Sequence, residues 1–337
     1  MDVTWTIILV LIPLLIYLLK KIWTLKKKIY ILENKKERKF IYRDPLEFYD
    51  IIINIDTIKD LIKKGWEILI NDKRKNNIEK EIENEKITIG VIGNRNKGKS
   101  FILQKLSNQT LQTGSMINTK GLSLKYYDRH VLLDSSGFEC PVLINEINQN
   151  EESESNNQML DKSRDKLFTE NFIQNYIIQY SNVLILVFGI LSLSEQKLLI
   201  RIKKVYKEIL TKQPEKKLII IHNLQTYETK EEVDTYIKET LLKSASFKVK
   251  KTKQNFVNED IDFLHDVEDN SIYHLIYARE GSIAGEFYNN STINAIKTMN
   301  IMNTNAGKYD YKQTLKDHFK NTSKRFLEFK ADEEFEL

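Results

Sequence analysis

Residues 93–100 read Gly93-Asn94-Arg95-Asn96-Lys97-Gly98-Lys99-Ser100, a complete GxxxxGKS pattern. Such a loop wraps backbone N–H groups around phosphate oxygens, and a helix that follows it adds its positive N-terminal end. Lys99 would reach the β- and γ-phosphates, and the Ser100 hydroxyl would ligate Mg²⁺. The competing reading is a chance match, and the flanks argue against it. The apolar run Ile87-Thr88-Ile89-Gly90-Val91-Ile92 precedes the loop, and the helix-like Phe101-Ile102-Leu103-Gln104-Lys105-Leu106 follows. On this reading Gly93, Asn94, Arg95, Asn96, Lys97, Gly98, Lys99, Ser100 and Phe101 form a nucleotide's phosphate cradle.

Two later segments extend the same chemistry. Val131-Leu132-Leu133-Asp134-Ser135-Ser136-Gly137 is an apolar strand ending in DxxG. There Asp134 would hold the Mg²⁺ shell through water, and the Gly137 amide would face the γ-phosphate. An ordinary loop is the alternative for a DSSG turn taken alone. Between the two motifs lies Asn118-Thr119-Lys120-Gly121, where Thr119 could supply a second hydroxyl to Mg²⁺ when a γ-phosphate is present.

These residues need a sheet to bring them together. Strand-like runs are expected at Tyr49–Ile53, Trp66–Ile70, Leu122–Tyr127, Val131–Leu133, Val183–Phe188, Leu218–Ile221 and Ile272–Tyr277. Helices are expected at Thr57–Lys64, Phe168–Tyr180, Ser194–Leu210 (capped by Ser194), Glu231–Leu242 and Tyr311–Phe329. Residues 71–86 read as a charged link. Residues 145–163, rich in Asn, Gln, Glu and Ser, read as a mobile loop. Strands alternating with helices of this length indicate an α/β fold: a P-loop NTPase domain with a mostly parallel sheet covered on both faces. The expected division is a membrane anchor over 1–19, a basic juxtamembrane helix over 20–47, lead-in strands and helix packed on the sheet over 48–86, the P-loop domain over 87–310, and a C-terminal helix with an acidic tail over 311–337.

The amino end reads as an N-terminal transmembrane helix. Val3–Leu19 is apolar and uncharged, at the short end for a span, and Lys20 and Lys21 follow at once. The positive-inside bias places the nucleotide domain in the cytosol, on a single-pass membrane protein. A helix lying in the interface and a cleaved signal peptide are the rivals; the segment has neither a basic leader nor a small-residue cleavage site.

The formal charge of +5 does not indicate nucleic acid. Residues 20–39 carry nine Lys or Arg and two Glu, a local +7, so the remaining chain has 5 − 7 = −2. That is a patch beside an apolar segment, not a stripe on a folded face. The single cysteine, Cys140, excludes an internal disulfide framework. The five histidines show no metal-ligand spacing.

The runs GNRNKGKSFILQKL, NTKGLS and LLDSSGFE resemble the GTPase domain of the guanylate-binding protein and atlastin branch of the dynamin superfamily, over roughly residues 87–300. The resemblance implies a Mg²⁺-dependent GTPase, membrane-associated, that forms a nucleotide-dependent homodimer. It assigns phosphate and metal roles to Gly93, Gly98, Lys99, Ser100, Thr119, Asp134 and Gly137, with Ser100, Thr119 and Asp134 at the metal. Three positions depart from it. Its catalytic arginine falls at Asn96, with Arg95 one step earlier; a serine is replaced by Ile117; and its guanine-reading Arg-Asp pair falls at His222-Asn223. Lys99, Arg95 and Thr119 are the candidates for catalytic contact, and His222 and Asn223 for contact with the base. Ala278–Ser282 either covers the base or is a plain helix-entry turn. The expectation is therefore a membrane-anchored GTPase that hydrolyses Mg·GTP slowly. The alternatives are a non-catalytic, nucleotide-gated scaffold and an ATPase with the same loop.

Overall fold

A computed structural model describes Lys21 and residues 44–112, 121–138, 140, 142, 152–244, 249–256, 259–266, 272–302 and 306–328. The chain divides into two compact units, Met1–Asp44 and Pro45–Leu337. The expected membrane segment at Val3–Leu19 and most of the juxtamembrane stretch lie outside the described residues. Among the described residues no helix is long and apolar enough to cross a membrane.

Among the described residues the second unit is built on an eleven-stranded sheet. Its centre is parallel: β5 (His130–Ser135), β3 (Glu85–Ile92), β6 (Val183–Phe188), β7 (Lys217–Leu224) and β10 (Ile272–Ala278), neighbours in that order. Both flanks are antiparallel. On one side β4 (Leu122–Tyr127) pairs with β5 through a turn at Asp128-Arg129, followed outward by β1 (Ile51–Asn54) and β2 (Glu67–Ile70). On the other, β9 (Glu259–Asp266) and β8 (Val249–Phe256) form a hairpin beyond β10. The two-residue β11 (Gly307–Lys308) meets the start of β3.

The central strands are apolar on both faces because both faces are covered. Successive side chains point to opposite sides, and the core splits accordingly. Leu184, Leu186, Leu218 and Ile220 share one cluster with Phe172 and Ile177 of α4 (Glu152–Tyr180), Leu199 and Ile202 of α5 (Leu193–Leu210), and Leu315 of the last helix (Tyr311–Glu328). Ile89, Val91, Ile185, Val187, Ile219 and Ile221 share the other with Ile102 and Leu103 of α3 (Lys99–Ser107) and with Ala295 and Ile296 of α7 (Ile283–Met302).

Several elements differ from the sequence reading. The polar stretch expected as a loop is helical from Glu152. It lacks a periodic apolar stripe, yet Glu152, Glu154, Gln158, Met159, Leu160 and Lys162 are good helix formers. The charged link contains α2 (Lys75–Glu83), with Ile78 buried at its centre. Helix α5 is capped by Ser192, not Ser194, in a reciprocal capping box with Glu195. The Ser192-Leu193-Ser194-Glu195 spacing is the S-x-x-E signature of that box. No strand was expected over the β8–β9 hairpin, whose first strand is apolar only at Val249 and Phe256; its register sets Lys253 opposite Asp262. Helix α1 (Ile58–Lys64) is capped by Thr57. The helix expected over Glu231–Leu242 is α6 (Lys230–Tyr236), continuing as a π-helical turn over Ile237–Leu241.

Candidate functional site

The loop Gly93–Gly98 leaves the C-terminal end of β3 and enters α3 at Lys99. Gly98, the residue before the helix, takes φ +89°, a left-handed conformation, and a Cβ there would run into the Asn223 side-chain amide. Glycine is required on both counts. The amide of Ile102 donates to the Gly98 carbonyl at 2.9 Å, which closes the first turn over the loop.

Lys99 is 5% exposed, and its Nζ donates to the Asn94 carbonyl at 3.1 Å. Burial lowers its pKa, and the Asp134 carboxylate nearby opposes that shift. This is a cation kept close inside the loop, available to phosphate oxygens.

Asp134 arrives from β5, which runs parallel to β3 with Gly90 opposite Leu133. It is fully buried. Its carboxylate accepts from the Tyr49 phenol at 2.6 Å, from the Ser135 amide at 2.9 Å, and from the Ser100 hydroxyl. Burial raises the Asp134 pKa, while those hydrogen bonds and the Lys99 charge pull it back. The structure thus joins the serine of the first motif to the aspartate of the second. Two hard oxygen donors side by side, next to a phosphate cradle, fit Mg²⁺, which takes one or two protein oxygens and fills its shell with phosphates and water. Among the described residues no group of three or more His, Cys, Asp or Glu side chains could hold a metal.

The DxxG segment is stitched to the phosphate loop. The Arg95 amide donates to the Phe138 carbonyl at 2.9 Å, and the Phe138 amide donates to Gly93 at 3.3 Å. Gly137 takes φ +93°, and an added Cβ would collide with Lys99 Nζ.

The remaining expected residues separate into groups. Lys97 pairs with the buried Glu195 carboxylate at 3.1 Å, so the capping box of α5 also holds the loop. Asn96 is exposed with φ +61°. The Phe101 ring packs edge-on against Tyr277, centroids 5.6 Å apart. Thr119 and Ile117 lie outside the described residues.

The two residues expected at the base both have partners within the protein. His222 is fully buried, its ring stacked on His274 and its Nδ1 3.2 Å from the Tyr236 hydroxyl. Because β7 alternates, its side chain lies on the covered face with Leu218, Ile220 and Leu224, opposite to that of Asn223. Asn223 donates from Nδ2 to the Lys97 carbonyl at 2.8 Å and accepts at Oδ1 from Gln225 Nε2 at 2.7 Å. Its Nδ2 therefore braces the loop, while its Oδ1 is held by Gln225.

Ala278–Ser282 forms a helix-entry turn. The Ser282 hydroxyl donates to the Arg279 carbonyl, and the Gly285 amide donates back to it. Asn289 of α7 clamps the Ala278 backbone through both its amide groups. A cavity of about 410 Å³ opens beside this turn, lined by Lys105, Tyr277, Glu280 and Asn289 among others. It lies between α3 and α7, not over the phosphate loop.

Sequence reasoning missed Tyr49, Glu195 and Gln225. The capping-box spacing was a signal for Glu195; Tyr49 and Gln225 carried none.

No protein-family model matches the chain. It is 22% identical, over 326 residues, to a protein of Dictyostelium discoideum named as a heat shock protein. That similarity covers 83% of this chain and 47% of the relative, so the chain spans about half the relative's length. Solved structures similar to it include Era of Aquifex aeolicus bound to GDP and aluminium tetrafluoride, at 14% identity and TM-score 0.35 over 66% of this chain and 58% of that one. A nucleolar GTP-binding protein 1 of Plasmodium falciparum is similar at 13% identity and TM-score 0.28, over 73% and 96% of the two chains. A variant of SsGBP is similar at 17% identity and TM-score 0.30, over 68% and 60%.

Proposed function

We propose that this chain is a P-loop GTPase that binds Mg·GTP and hydrolyses it slowly. The observation that carries the reading is the hydrogen bond between Ser100 and Asp134, beside buried Lys99. Residues far apart in sequence meet where a triphosphate and its metal would be held. Lys99 and the loop amides bind the phosphates. Ser100 and Asp134 hold the cation, with Thr119 as the further hydroxyl. Bound Mg²⁺ supplies neutralisation of charge on the phosphate oxygens. Guanine is the favoured base through the resemblance at residues 93–106, 118–123 and 132–139. With Asn223 engaged by Lys97 and Gln225, the base contact falls to residues beyond it at the ends of β7 and β10. The apolar run Val3–Leu19, followed by Lys20 and Lys21, supports a single-pass anchor with the site facing the cytosol, and the resemblance supports a nucleotide-dependent homodimer.

The test is equilibrium binding of GTP and ATP to the full chain with and without Mg²⁺, together with phosphate release. Wild type should bind GTP more tightly than ATP and release phosphate, and Lys99→Ala should do neither. A wild-type chain that binds neither nucleotide overturns the proposal.

A second reading has its own support. Asn96 stands where the resembling branch keeps its catalytic arginine, and it is short and uncharged. That favours a nucleotide-gated membrane scaffold, and GTP binding without phosphate release at any protein concentration would select it. Tighter binding of ATP would select an ATPase.

A further inference from the structure

Asp134 has a partner that no phosphate-site motif contains. Tyr49 lies 85 positions earlier in the chain, and both residues are fully buried. Its phenol meets Oδ2 at 2.6 Å, in the range of a charge-assisted O–H···O⁻ bond. The Ser135 amide meets the other oxygen, Oδ1, at 2.9 Å.

The aim of the phenol is fixed by the segment that carries it. A short 3₁₀ turn, Pro45–Glu47, precedes Tyr49, and the amides of Phe48 and Tyr49 both donate to the Pro45 carbonyl. After it, the Asp50 amide donates to Leu124 of β4 at 2.9 Å. The buried Asp50 carboxylate accepts from the Tyr126 amide at 2.8 Å and pairs with Lys125 and Arg74. Tyr49 is thereby held by a local turn on one side and, through Asp50, by β4 on the other; β4 lies beside β5, which carries Asp134.

We propose that Tyr49 is a positioning residue for the metal-site carboxylate, holding Asp134 in one orientation for a divalent cation. This rests on reading Ser100 and Asp134 as the Mg²⁺ site. A metal bound at Ser100 would take a lone pair of that oxygen and leave its O–H free to donate to Asp134. Tyr49 and the Ser135 amide hold the same carboxylate independently of the metal, one on each oxygen. Partners outside the metal's own ligand set characteristically contribute 10–100-fold in metal affinity.

The test uses the full chain with saturating GTP and Mn²⁺ as the probe, with free Mn²⁺ read by electron paramagnetic resonance. Tyr49→Phe removes one hydroxyl and keeps the ring. It should weaken Mn²⁺ binding about tenfold, while GTP affinity measured in EDTA stays within about twofold. A role in folding alone would lower the melting temperature and leave Mn²⁺ affinity unchanged, and that result overturns the assignment. Tyr49→Met, measured alongside, supplies a second variant without the hydroxyl should the first fail to fold. Wild type that binds Mn²⁺ and GTP, with both variants unaltered, removes the role of Tyr49 alone. Wild type that binds neither removes the nucleotide-site reading and this assignment with it.

Discussion

Asn223 Nδ2 donates to the Lys97 carbonyl at 2.8 Å, so the end of β7 braces the phosphate loop from below. The bond fixes the amide orientation, because a carbonyl can only accept. Oδ1 must then be the acceptor, and Gln225 Nε2 fills it while also reaching the Ala278 carbonyl at 3.4 Å. Asn223→Asp would set a carboxylate against the Lys97 carbonyl. Losing a buried hydrogen bond of this kind costs about 1–3 kcal/mol, so nucleotide affinity should fall about tenfold or more. Because the role is to brace, GTP and ATP should weaken by the same factor in a competition assay. A change confined to one base would return Asn223 to base reading.

Gly137→Ala tests the join between the two motifs. The substitution strains a left-handed backbone and drives a methyl group into Lys99 Nζ. The backbone term alone is about 1–2 kcal/mol. Triphosphate binding should be lost in calorimetry while the far-UV spectrum stays folded. Retained binding would show that Lys99 has room to withdraw.

Glu195 serves two structures at once. Its carboxylate accepts from the Gly189 and Ser192 amides at 3.0 and 2.9 Å and pairs with Lys97. Ser192→Ala removes the cap and should cost about 1 kcal/mol of stability in urea unfolding, with nucleotide affinity little changed. Glu195→Gln should also loosen the loop, so its nucleotide affinity should fall more than that of Ser192→Ala. Equal effects would separate the cap from the loop.

Two buried histidines set an acid limit on stability. Burial pushes His222 down to about 3 and His318 down to about 4. Both are neutral in the fold, whereas the unfolded chain protonates them near 6.5. Between those values the unfolded state binds more protons, so stability is complete above about pH 6.5 and falls as the pH drops. The loss at pH 5 is about 2 kcal/mol for each. His318→Gln should flatten the decline measured by urea unfolding between pH 7 and 5, and an identical slope in the variant would refute the assignment.

The phosphate loop, its strand and its helix were legible in the sequence because they are local. Eight consecutive residues, an apolar run before and a periodic run after define them without reference to the rest of the chain. Asp134 and Gly137 were legible for the same reason, at the end of a short apolar strand. Boundaries were less so where polar composition masked a helix, as at Glu152, or where two serines competed for one cap, as at Ser192 and Ser194.

What the sequence determined, then, is the local order of strand, loop and helix, and with it the expectation of which groups would meet phosphate and a hard cation. The tertiary structure decided who supports them. Tyr49 reaches Asp134 because β1 and β4 carry it to the strand beside β5. Asn223 braces Lys97 because β7 ends beneath the loop, and His222 lies on the other covered face because strand side chains alternate. None of these pairings is visible in spacing along the chain. They arise from strand order and register, which bring together residues separated by dozens of positions.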